Sequence, residues 1–212
     1  MSHFYTNITL AGPEQRRVVE VLRRLQWHAY VSQTTDGVTT VFEFASESGQ
    51  VDVITELAAD LSAAFECAAL AAVHGHDGVL NLWLYERGGR SFRYSSSPSY
   101  FWGEHLPPTA GDVEKLCEAF GEGGARGKVE EVLTYDKLDP ANAGSGRYVS
   151  EVERHADLLD ALGLPALAAG VGFCRIRDDD LPPDFDRAGL AATWVDASWA
   201  KLDRQGAVLP GV

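Results

Sequence analysis

Hydrophobic and polar positions along the first hundred residues switch between a period of two and a period near 3.6. Phe4, Thr6, Ile8 and Leu10 alternate with Tyr5, Asn7 and Thr9, as in a strand. Gly12-Pro13 then opens a helix on which Val18, Leu22 and Leu25 recur at helical spacing, with Val19 and Val21 beside them. Residues 28–32 read as a second strand, Thr35-Asp36-Gly37 as a turn and 38–44 as a third strand, and a second helix runs over 51–65. A short apolar strand follows over 68–73. His76-Asp77-Gly78 is turn chemistry, and 79–87 with 90–96 form a hairpin around Gly88-Gly89. This βαββαβ order with a ββ extension predicts an α+β protein whose first part is a ferredoxin-like sheet carrying two helices on one face.

Beyond Ser97 the texture changes. Pro98, Pro107 and Pro108 punctuate a loop holding Tyr100, Phe101 and Trp102, and helical patterns then dominate over 112–120, 126–135 and 148–162. Residues 171–176 read as one further strand, Asp178-Asp179-Asp180 with Pro182-Pro183 as a loop, and 191–202 as near-helical. The expected organisation is a ferredoxin-like region over 1–103 and a mostly helical, acidic region over 104–212, packed together as one compact unit.

The hairpin defines the sheet's second face. With Gly88 and Gly89 in the turn, Tyr85 pairs with Phe92, Trp83 with Tyr94 and Asn81 with Ser96, and paired residues point to one side. Leu80, Leu82 and Leu84 then lie on the other side, beneath the two helices. On the remaining strands Tyr5, Asn7 and Thr9 oppose Ile8 and Leu10, and His28, Tyr30 and Ser32 oppose Ala29 and Val31. The candidate binding surface is therefore an aromatic face of Tyr5, Tyr30, Trp83, Tyr85, Phe92 and Tyr94. It is either covered by the helical region or open to grip a partner.

Charge narrows the partners. The 212 residues carry a formal net charge of −13. Residues 1–103 hold 7 basic and 11 acidic groups (net −4), and 104–212 hold 11 and 20 (net −9). Such a balance disfavours phosphate backbones, so nucleic acid is not an expected partner. Arginines gather only at Arg16, Arg17, Arg23 and Arg24 on the first helix and at Arg87, Arg90 and Arg93 near the hairpin turn. The longest apolar stretch is broken by Glu56, Asp60 and Glu66, which argues against a membrane span, and no basic leader precedes an apolar run, so a cytoplasmic location is expected. Cys67, Cys117 and Cys174 are widely spaced and odd in number, which fits buried thiols in a reducing compartment rather than a disulfide framework.

Catalytic motifs are sparse. His74 and His76, two apart and followed by Asp77, offer two imidazoles and a carboxylate to a metal, and a metal-assisted hydrolase centred there is one alternative function. Glu151 and His155 stand one helical turn apart without the second histidine of a zinc helix and read as an exposed pair. Ser95-Ser96-Ser97 lacks a nucleophile elbow, and the aspartates of 178–186 lack the glycine and closing glutamate of a calcium loop. No cofactor is implied. The expected function is a non-catalytic binding or regulatory protein, of the inhibitor, immunity or adaptor kind, whose acidic surface and aromatic face engage a basic protein partner. A small-ligand sensor with an aromatic pocket is the other alternative.

Overall fold

A computed structural model describes residues 4–75, 78–100, 105–121, 125–142, 144–183 and 185–194. The first part of the chain forms β1 (Tyr5–Ala11), α1 (Gln15–Arg24), β2 (Ala29–Val31), β3 (Val38–Glu43), α2 (Val51–Phe65), β4 (Ala68–Gly75), β5 (Val79–Glu86) and β6 (Gly89–Ser95). The second part adds β7 (Thr109–Ala110), α3 (Val113–Ala119), α4 (Arg126–Thr134), α5 (Glu151–Ala161), α6 (Phe173–Arg177) and β8 (Ala191–Ala192). All eight strands join one antiparallel sheet in the order β7-β6-β5-β4-β1-β3-β2-β8. The described protein is thus α+β, with an open eight-stranded sheet and six α-helices.

Helices cover both faces of the central sheet. On one face Ile8 and Leu10 of β1, Ala69, Ala71 and Val73 of β4, and Trp83 and Tyr85 of β5 pack against Val18 and Leu22 of α1 and Ile54, Leu57 and Leu61 of α2. On the other, Leu70 and Ala72 of β4, Leu80, Leu82 and Leu84 of β5, and Phe92 and Tyr94 of β6 meet Leu116 of α3, Val129, Val132 and Leu133 of α4, and Leu158 and Leu159 of α5. Each such aliphatic side chain contributes about 1.5–3 kcal/mol when fully buried. The two helical layers are therefore held on mainly by ordinary apolar packing.

The hairpin departs from the expected register. Its turn residues are Arg87 and Gly88, both at positive φ (50° and 80°), with Glu86 opposite Gly89. That is the requirement of the tight mirror-image turn that suits a right-twisted ribbon. Moving the turn back by one residue alone keeps every side chain on its expected side. A bulge at Ser91 changes this: Tyr85 pairs with Arg90 but Leu84 with Phe92 and Leu82 with Tyr94. One extra residue on β6 sends Phe92 and Tyr94 to the face opposite Trp83 and Tyr85. The six aromatics therefore do not share a face, and Leu80, Leu82 and Leu84 lie beneath the second helical layer rather than beneath α1 and α2.

A second correction concerns residues 171–176, expected as a strand. Phe173–Arg177 is a short helix, and the backbone N–H of Cys174 in its first turn donates to the Glu47 carboxylate at 2.7 Å. The acceptor at its N-terminus comes from a residue 127 positions away, which no local pattern announces. Gly172 makes room for this contact, because a Cβ there would lie 1.8 Å from Oε1 of Glu47 and 2.8 Å from Cβ of Tyr5. At the other end of the expected terminal helix, Ala191–Ala192 pairs with β2 as an edge strand. Residues 195–202 lie outside the described residues.

Candidate functional site

Five of the six candidate aromatics are buried. Tyr5 and Tyr94 have no exposed surface, Phe92, Trp83 and Tyr85 are nearly enclosed, and Tyr30 is half-buried. Tyr30 belongs to a separate cluster at the β2 end, its ring 4.9 Å from both Phe173 and Trp194. Trp83 and Tyr85 are packed under α2, whereas Phe92 and Tyr94 are packed under α3–α5. In this structure the five buried rings are interlayer core.

Around Tyr5 that core is polar. His74, directly across from Tyr5 on β4, stacks on its ring at 4.8 Å, and His155 of α5 lies on a parallel plane 5.8 Å away. The Tyr5 hydroxyl is 2.8 Å from Nδ1 of His155. Complete burial, with His74 close by, pushes the His155 imidazole down to about 3, and burial raises the Tyr5 phenol well above its ordinary value. Both groups are neutral near pH 7, so the phenol donates to the imidazole nitrogen. Asn7, two residues along β1, donates from its amide to the carbonyls of Ala168 (2.6 Å) and Val171 (3.1 Å).

Glu151 and His155, expected as an exposed pair, are enclosed together with Arg154. Nε of Arg154 donates to Glu151 at 2.7 Å, and Nη1 donates to the carbonyls of Val132 and Tyr135 at 2.8 Å, where α4 ends without helical partners. The guanidinium also lies 4.6 Å from the centre of the Tyr148 ring, and Nζ of Lys137 reaches the second Glu151 oxygen at 2.9 Å. This network ties α4 to α5 and α5 to the sheet, and it is sealed from solvent. It fits a structural latch, with His155 only 1% exposed.

The metal candidates separate similarly. His74 is fully buried and stacked on Tyr5, while His76 and Asp77 lie outside the described residues. No cluster of three or more metal-binding side chains occurs among the described residues. The aspartate run is taken up by arginines: Arg175 pairs with Asp180, Arg177 with Asp178 and Arg187 with Asp179. Cysteine chemistry is also disfavoured. Burial pushes the Cys67 thiol up to about 11, and burial with the neighbouring Glu47 carboxylate pushes Cys174 up to about 12, so both are protonated thiols at neutral pH.

The accessible feature is elsewhere, on the stretch of sheet that α1 and α2 do not reach. Beyond α2 the β5–β6–β7 extension bears an open groove of about 480 Å³. Register places Asn81, Ser95 and Thr109 side by side across three strands, with Arg93 one rung along β6. Ser97, Pro98 and Tyr100 form one wall. That wall is set by hydrogen bonds from the Leu80 N–H to the Ser96 hydroxyl (2.9 Å) and from the Leu106 N–H to the Ser99 hydroxyl (3.1 Å). It also needs Gly78, where a Cβ would come within 2.2 Å of the Tyr100 ring. Across the groove β7 sits close, Gly111 donating its N–H to the Arg93 carbonyl at 2.8 Å.

Among the described residues, the side chains of Asn81, Arg93, Ser95, Ser97 and Thr109 make no hydrogen bond or ion pair within the protein. Two other surface grooves measure about 470 and 440 Å³. In one, Arg23 is spent on the carbonyls of Ala192 and Thr193; in the other, Arg17 covers the Phe65 ring. Sequence reasoning passed over the β5–β6–β7 groove because its residues are single polar positions in apolar strands. The available signal was Asn81 among Val79, Leu80, Leu82 and Leu84, a strand position with no reason to be polar unless it faces water or a ligand.

No helix among the described residues is long and apolar enough to cross a membrane. Comparison of the chain with protein-family models, with curated proteins and with solved structures finds no match in any of the three.

Proposed function

We propose that this is a non-catalytic binding protein of regulatory type, built on a ferredoxin-like core, whose ligand site is the groove on the β5–β6–β7 extension. The observation that carries the reading is the convergence of five polar side chains, with no hydrogen-bond or ion-pair partner among the described residues, on one concave surface. Ligand sites combine a largely preformed hollow with a few convergent polar groups. The ferredoxin-like description rests on the βαββαβ order and the strand arrangement β4-β1-β3-β2, and the three thiols favour a reducing compartment. Crystallographic screening of the full chain with small uncharged polar fragments is expected to concentrate density between Tyr100 and Thr109. Fragments scattered over the surface, with none in this groove, would remove the reading.

A protein partner drawn by the acidic surface is the second reading, favoured by two apolar side chains left in solvent. Leu138 and Val149 are 60% and 76% exposed. They lie on the α4–α5 connection, in a stretch of chain that also carries Glu131, Asp136, Asp139 and Glu153. Exposed apolar side chains in a stretch with this many acidic residues suit a basic partner. Proximity labelling in the source cells is expected to recover basic proteins with the wild type and to lose them with the Leu138→Asp, Val149→Asp variant. Recovery of an unchanged set sinks this reading.

A further inference from the structure

We infer that the groove on β5–β6–β7 recognises an oxyanion, a carboxylate or phosphate group of a small molecule, with Arg93 as its anchor; this rests on the groove being the ligand site. The protein carries a net charge of −13, and its surface arginines are largely engaged: Arg16 with Glu20, Arg126 with Glu114 and Glu130, Arg147 with Glu131, and Arg175, Arg177 and Arg187 with the aspartate run. Among the described residues Arg93 has no such partner, although Asp112 follows the neighbouring Gly111. A guanidinium offers five donors in a planar fork and no acceptor, so its natural complement is a group with two oxygens in a plane. Around it stand groups that complete the same recognition. The Asn81 amide and the Ser95, Ser97 and Thr109 hydroxyls each supply a donor, and among the described residues no carboxylate lines the groove to repel an anion. The Tyr100 ring, 40% exposed and seated over Gly78, provides an apolar wall for whatever carries the charged group.

Charge-assisted hydrogen bonds of this kind dominate the affinity of small polar ligands, so their loss is directly readable. The test is titration of the isotopically labelled full chain with inorganic phosphate and, separately, with malonate, each against chloride at matched ionic strength, followed by amide chemical shifts. Saturable shifts confined to Arg93, Ser95, Thr109 and their neighbours are expected with at least one of the two, and which of them saturates first distinguishes phosphate from carboxylate. Arg93→Gln is expected to weaken that binding by about tenfold or more. Arg90→Gln, which removes an exposed charge at the hairpin end outside the groove, is expected to leave it unchanged. Both sites are exposed, and melting curves check that each variant is folded. Equal loss in the two variants, or shifts that never saturate, overturns the inference. If the anions fail while uncharged fragments still occupy the groove, the ligand class is wrong and the site stands. If neither occupies it, both conclusions fall.

Discussion

Replacing Arg154 with alanine is expected to lower the unfolding free energy by about 3–5 kcal/mol, the range for removing one partner of a buried ion pair. The loss has several parts. Glu151 is left in an enclosed site with Lys137 as its ion-pair partner, the carbonyls of Val132 and Tyr135 lose their donor, and the Tyr148 ring keeps the guanidinium of Arg147 but loses that of Arg154. A buried charge pair is not itself strong evidence of net stabilisation, because desolvating both partners offsets most of their attraction. The double variant Arg154→Leu, Glu151→Leu is therefore expected to be less destabilised than Arg154→Ala alone. Urea denaturation followed by tryptophan fluorescence measures both. A loss below about 1 kcal/mol for Arg154→Ala would mean that the enclosure around this network is not maintained in solution.

The second large effect is a pH dependence. His155 is held neutral, its pKa pushed down to about 3 by burial, whereas an unfolded histidine titrates near 6.5. Between those values the unfolded chain binds a proton that the folded chain does not. The stability this site contributes is thus fully present above about pH 6.5 and is lost as pH falls, at up to about 1.4 kcal/mol per pH unit. The depressed His28 adds in the same direction. Glu43 and Glu47 act oppositely, since burial raises their carboxyls and the folded state then gains stability as they take up protons. Comparison with His155→Gln, whose amide oxygen can still accept from Tyr5, isolates the histidine. The difference in stability between wild type and variant is expected to change by several kcal/mol between pH 6.5 and 4. Parallel stability curves for the two proteins would show that His155 is not held neutral by the fold.

How much of this was legible in the sequence depended on the length of each pattern. The helix over 51–65 was readable to the residue, because Ile54, Leu57, Ala58 and Leu61 repeat at helical spacing over about two turns. The strands of the first hundred residues were placed to within one or two positions by their alternation. The bulge at Ser91 was not readable, since one extra residue in a strand leaves no compositional trace, and it alone decided which face Phe92 and Tyr94 occupy. Two-residue strands such as β7 and β8 have no period to detect.

The enclosed network was present in the sequence but was read with the wrong alphabet. Glu151, Arg154 and His155 fall at helical spacing with Leu158, Leu159 and Leu162, on one stripe of α5. Treating only apolar residues as core consigned the first half of that stripe to solvent. What the stripe could not reveal is that Tyr5 and the end of α4 would supply the partners. The groove escaped for the opposite reason: its residues are ordinary, and only the register of three strands brings them together.

The contacts of β1 and α1 with the end of the chain impose an order on biosynthesis. Tyr5 waits for His155, Asn7 for Ala168, and Arg23 for Thr193, partners 150, 161 and 170 residues downstream. As the chain leaves the ribosome, the β4-β1-β3-β2 sheet can assemble early with one face sheltered by α1 and α2. Its other face stays bare, and its outer strand β2 stays without β8 for most of translation. A nascent chain in that condition resembles an unfinished sheet with sticky margins, a natural client for holding chaperones until the last third of the polypeptide arrives to close it.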